Sequence, residues 1–152
     1  MIQEYVRLAR PYFVLLAIFT IGRWLMGTAF GVPYEKGTGV LSIVTLTLFA
    51  SLFSAAYTRR WLRYRLAQAA GLAMFMALVS QVVVLLSTAA SYLVGVSSYF
   101  TEPMALNRQT DPIGFGAAMG FRVGGLVVNT ILNGIIGALG WALGGLLPAR
   151  ER

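Results

Sequence analysis

Between Arg65 and Glu102 the chain carries no charged side chain. A straight helix over Leu66–Thr101 would run about 50 Å at 1.5 Å per residue, against a bilayer core about 30 Å thick. A stretch that long with nothing to ionise is a membrane span with residues to spare. Its helix is expected over 66–92. Gly95 and the segment Ser97, Ser98, Tyr99, Phe100 are expected to bend onto the membrane interface, where tyrosine is favoured.

Three further apolar runs have the length of a span. The first covers 12–31 after the basic start Arg7, Arg10. Arg23 interrupts it and no clean small-residue cleavage site follows, so it reads as an uncleaved span rather than a removed leader. The second, 37–58, contains no charge at all and stops at Arg59 and Arg60. From Thr101 to Pro112 the chain is polar, with Pro103, Asn107 and Pro112 as breakers, and reads as a loop. Gly114–Phe121 is apolar again, but Arg122 and the pair Gly124, Gly125 follow. The expectation is a short interfacial or re-entrant helix, a break, and a fourth span over 123–147 closed by Pro148.

Composition agrees with this reading. Of 152 residues, 58% are hydrophobic and 11% charged, where soluble domains carry about 25% charged residues. Four spans with short loops use this length, so the expected fold is all-α: a single transmembrane domain, an integral membrane four-helix bundle. The net charge of +7 is not a nucleic-acid footprint, because its arginines flank the apolar runs. Arg7, Arg10, Arg59, Arg60, Arg63, Arg65, Arg150 and Arg152 fall in the two terminal segments and the central loop. The other two loops mix Lys36, Arg108 and Arg122 with Glu35, Glu102 and Asp111. The positive-inside rule then places both termini in the cytoplasm. The expected location is a cell membrane, a bacterial cytoplasmic one.

The missing residue types narrow the chemistry. With no cysteine and no histidine, the chain has no disulfide, thiolate metal site or bis-histidine haem, and no cofactor or metal is expected. The loop acids Glu35, Glu102 and Asp111 have no base or metal-ligand spacing to work with, so an enzyme is not expected. No carboxylate lies within a span, which disfavours proton-coupled transport.

Several residues are candidates for binding. Arg23 is an ionisable group inside a span, where insertion costs roughly 2.5 to 3.5 kcal/mol unless it reaches water or a partner. Snorkelling is one explanation, an ion pair with Glu35, Glu102 or Asp111 another. The third is an anion or headgroup site, with Thr20 and Gly27 on the same face leaving room for the ligand. Gln81, Asn129 and Asn133 are the amides that could complete such a site. Arg59, Arg60, Arg63 and Arg65, with Trp61 and Tyr64 among them, form a surface suited to anionic lipid headgroups at the cytoplasmic face. Hydroxyls at Thr47, Ser51, Ser54 and Thr58, and at Ser80, Ser87, Thr88 and Ser91, make stripes that serve as interhelical hydrogen bonds or line a path.

The last span carries Thr130, Asn133, Gly137, Gly140 and Gly144 at spacings of three and four, along one helical stripe. Small residues let helix backbones approach closely, so this stripe is expected to be a packing surface and an oligomer contact. Asn129 and Asn133 should find partners such as Gln81 or the hydroxyls of the second span. The function expected from these features is that of a noncatalytic accessory or assembly subunit. It would pack through the fourth helix with itself, with lipids or with a larger membrane complex. The alternative is a small channel or facilitator for a small or anionic solute, with Arg23 and the polar stripes lining its path.

Overall fold

The computed structural model describes residues 2–146, and over them the chain is all helical with no strand. Six helices follow in order: α1 (Ile2–Thr28), α2 (Tyr34–Gly37), α3 (Ile43–Leu62), α4 (Leu66–Val94), α5 (Pro103–Asn107) and α6 (Phe115–Gly144). Three of them, α1, α4 and α6, are long and apolar enough to cross a membrane. α3 is the fourth long helix, but Arg59 and Arg60 occupy its last turn. The long helices alternate in direction. At one end, here the Tyr99 end, α1 and α4 finish and α3 and α6 begin; at the other, the Arg59 end, the reverse holds.

α6 packs along both α4 and α3, α4 also packs on α3, and α1 lies against α3 and α4. The interior is rich in polar groups. Asn133, Thr47, Thr58, Thr88, Ser51, Ser80 and Ser91 are among the most deeply buried side chains, whereas Phe49, Phe53, Leu86, Val128 and Ile135 stand exposed. Lipid is as apolar as leucine, so burying leucine gains little there and hydroxyls and amides turn toward each other. Tyr5, Tyr12, Leu16, Leu72 and Met76 form the apolar part of the core between α1 and α4.

The elements start and stop for local reasons. Ser42 caps α3 by accepting a hydrogen bond from the Thr45 N–H at 3.3 Å. The Gln68 side chain accepts from the Arg65 N–H at 2.9 Å where α4 begins. α4 ends at Gly95, whose φ of 70° is the left-handed conformation glycine adopts without steric cost.

Four expectations need correction. α1 begins at Ile2 rather than at residue 12, because the polar first turns carrying Glu4, Arg7 and Arg10 remain helical outside the apolar zone. α3 begins at Ile43 rather than at 37, since Gly37 ends α2 and Thr38 to Leu41 form a turn ahead of the Ser42 cap. The chain leaves the helix at Gly95 as expected, but of the segment Ser97 to Phe100 that follows, Ser97 alone is exposed: Ser98, Tyr99 and Phe100 fold back and are buried. Most consequentially, the expected break near Arg122, Gly124 and Gly125 does not exist. α6 is one continuous helix from Phe115 to Gly144, with no separate interfacial or re-entrant helix before the last span. Glycine weakens a helix by only about 1 kcal/mol per residue, and Arg122 finds partners on other elements that hold this turn in place. The expected end of the last span at Leu147, with Pro148, Arg150 and Arg152, lies outside the described residues.

Candidate functional site

The glycine stripe of α6 explains where the helices touch and where they part. A Cβ on Gly140 would fall against the Leu52 backbone carbonyl, and one on Gly144 would sit 2.5 Å from the Ala56 carbonyl oxygen. A Cβ on Gly137 would meet the Ala73 methyl at 2.6 Å and the Ala70 Cα at 3.3 Å. Bare backbone on α6 therefore lies directly on α3 and α4 toward the Arg59 end, and the stripe is filled from within the chain. Asn133, on the same stripe, accepts from the Ser51 hydroxyl at 2.8 Å and donates to the Asn129 carbonyl at 2.8 Å. Thr130 is the stripe's exception: its buried hydroxyl oxygen has no hydrogen-bond partner among the described residues.

Toward the Tyr99 end no such contact draws α6 onto α3, and a cavity of about 300 Å³ opens. Its lining comes from α1 (Arg23), α2 (Tyr34), α3 (Ile43, Val44), α4 (Gln81, Val84), α5 (Ala105, Leu106), α6 (Phe121, Arg122, Gly125, Asn129) and the connections at Thr38, Ser42, Tyr99 and Phe100. Among the described residues no carboxylate lines it. The cavity reaches deep, since Gln81 lies about 20 Å of helix below the end of α4. Beyond Gln81 and Asn129 the interior is closed by the Ser51–Asn133 pair and the fully buried Met76.

Both cations of the cavity are held by uncharged groups. Arg23 is only 8% exposed, and its Nη1 makes long hydrogen bonds to the Thr38 and Leu41 carbonyls at 3.4 and 3.3 Å. Its guanidinium carbon lies 5.4 Å from the Tyr99 ring centre and 5.9 Å from that of Tyr34, within cation–π range. Its Nε and Nη2 donate to nothing among the described residues. Arg122 donates from Nε to the Thr88 hydroxyl at 2.9 Å and from Nη2 to the Phe100 carbonyl at 2.8 Å. Its Nη1 donates to nothing among the described residues.

Tyr99 is the keystone of this end. Its ring packs against Gly27 and Gly37, and its hydroxyl donates to the Val32 carbonyl at 2.8 Å. Burial pushes the Tyr99 phenol up, with the nearby Arg23 acting against that, so the phenol is a neutral donor. The room expected at Gly27 is thus taken by Tyr99, and the Thr20 hydroxyl is spent on the Leu16 carbonyl of its own helix. The free space lies on the opposite flank, toward α6.

Of the sequence-derived binding candidates, Arg23, Gln81 and Asn129 meet in this one cavity, while Asn133 is committed to Ser51 just beneath it. Arg122, Tyr34 and Tyr99 were not among the candidates. The available signal for Arg122 is an arginine eight positions into a 30-residue apolar helix, which in sequence looks the same as a helix boundary. At the other end, the arginine surface is not uniform. Arg59 donates to the Trp141 carbonyl at 2.9 Å and lies 3.8 Å over the Trp141 ring, closing the end of α6. Arg63 and Arg65 are exposed and Arg60 half-buried.

The fold and site together define an all-helical membrane protein with a doubly cationic internal cavity. No family model, curated protein or solved structure matches the chain.

Proposed function

We propose that this protein is a noncatalytic membrane protein that binds an anionic group in the cavity between Arg23 and Arg122. It would cross the bilayer four times as a four-helix bundle, α3 being the fourth span, with both termini cytoplasmic and the cavity toward the outer leaflet. One observation carries the binding reading: two guanidinium groups share a deep cavity with no carboxylate among its lining residues. Like charges placed together in a medium of low dielectric repel strongly. An oxyanion forked between them relieves this and uses donors that the protein leaves unpaired.

Binding is favoured over conduction because the lining ends at Gln81 and Asn129, with packed side chains below. The accessory-subunit reading keeps less support. It drew on a glycine face that the chain itself occupies, and what remains exposed on α6 is an apolar strip of the kind that lipid covers.

The test uses detergent-purified protein and compares phosphate and sulfate with chloride at matched ionic strength. The oxyanions should raise the melting temperature of the wild type but not of Arg23→Gln or Arg122→Gln. Equal responses in all three proteins would sink the proposal. The topology is open to labelling of single cysteines, since the chain has none of its own: residue 60 should react from the cytoplasm, residues 36 and 107 from outside.

A further inference from the structure

We infer that the ligand of this cavity is a phosphorylated polyol, an anionic phosphate ester whose attached group carries hydroxyls. This rests on the anion reading above and is drawn from the uncharged part of the lining. Gln81 is 8% exposed, lines the cavity, and its amide takes part in no hydrogen bond among the described residues. Asn129 donates from Nδ2 to the Gly125 carbonyl at 2.8 Å, which leaves its Oδ1 without a donor.

Two amide side chains with unfilled oxygens thus line a space whose cations both belong to the protein. A carbonyl oxygen only accepts, and a fully ionised oxyanion also only accepts, so a bare oxyanion takes the arginine and amide N–H groups and leaves both amide oxygens without a donor. The ligand must bring its own donors. Those donors are hydroxyls rather than an ammonium, because Arg23 and Arg122 already charge the cavity positively and no carboxylate lines it to receive a cation. The volume admits such a ligand: a cavity of about 300 Å³ has room for a group the size of a glycerol phosphate.

The rim bears on the source of such a group. Val44 and Phe121, both exposed and apolar, line the cavity on the flank between α3 and α6. An opening with apolar lips suits a headgroup whose acyl chains stay in the bilayer, although a free polyol phosphate would bring the same chemistry to the arginines and amides.

Calorimetry on detergent-purified protein would compare glycerol 3-phosphate, inorganic phosphate and phosphocholine. Glycerol 3-phosphate should bind about tenfold or more tighter than the other two, a margin one or two well-made hydrogen bonds supply. Gln81→Met, close in shape but unable to hydrogen-bond, should erase that preference and keep inorganic phosphate binding. Asn129→Leu gives a second reading should the Gln81 variant not fold.

Native mass spectrometry with added phosphatidylglycerol, phosphatidylethanolamine and phosphatidylcholine separates the sources. Selective phosphatidylglycerol adducts, weakened by Gln81→Met, identify the lipid headgroup. Tight binding of glycerol 3-phosphate without selective lipid adducts identifies the free ester. Either result supports the inference. Phosphate and glycerol 3-phosphate binding equally, with Gln81→Met unchanged and no lipid preference, would overturn it while leaving the anion site standing. Binding of none of these anions or lipids would overturn both.

Discussion

Replacing Gly140 with alanine adds one methyl group where α6 rests on the backbone of α3. The added Cβ would collide with the Leu52 carbonyl, and both its carbonyl carbon and its Cα lie within 3.0 Å of that position. Backbone cannot rotate away as a side chain can, so α3 or α6 must withdraw by roughly 1 Å, loosening the neighbouring contact at Gly144 too. Overpacking costs about 1–3 kcal/mol, here at the upper end because no flexible atom yields. Alanine's helix preference over glycine returns about 1 kcal/mol, leaving a net loss of about 2 kcal/mol. Gly124→Ala is the matched control: it lies on the same helix with nothing within 4 Å of its added Cβ, so it should gain about 1 kcal/mol. Thermal unfolding in detergent, followed by circular dichroism, should therefore separate the two variants by roughly 6–12 °C. Particle mass should be the same for both, since the stripe is used inside the chain. Equal melting temperatures would refute the close-packing argument, and a change of particle mass confined to Gly140→Ala would show that the stripe also meets a second copy.

Other contacts give sharper local tests. Asn133→Leu removes the acceptor of the fully buried Ser51 hydroxyl, and should cost about 1–3 kcal/mol. Adding Ser51→Ala should recover part of that loss, with a coupling near the 0.6 kcal/mol average of such pairs in membranes, and strictly additive losses would show the pair to be idle. Thr130→Val should raise the melting temperature, because it exchanges an unpartnered buried hydroxyl for a methyl of the same shape. A lower melting temperature would mean that the hydroxyl is satisfied after all. Arg59→Lys should destabilise the Arg59 end by about 1 kcal/mol despite keeping the charge, since lysine cannot both reach the Trp141 carbonyl and lie flat on its ring. Trp141 fluorescence would report the change, and a spectrum and stability identical to wild type would refute it.

What the sequence determined by itself is what a single helix can express. Hydrocarbon admits no unpaired backbone group, so long uncharged runs such as Leu66–Val94 had to be helices. The spacing of Gly137, Gly140 and Gly144 likewise placed them on one face whatever that face met. Periodicity states which residues share a side, but not which sides come together. Arg122 shows the limit. Alone on its helix it looks like a boundary, and only the Thr88 hydroxyl of α4 and the Phe100 carbonyl of the returning loop make it tolerable inside a continuous α6. The same limit hid the cavity. Arg23, Gln81, Arg122 and Asn129 sit on three helices, and what joins them is where α6 stops touching α3: close packing at Gly140 and Gly144 draws the helices together at one end, and the folded-back Tyr99 segment helps wall the space left open at the other.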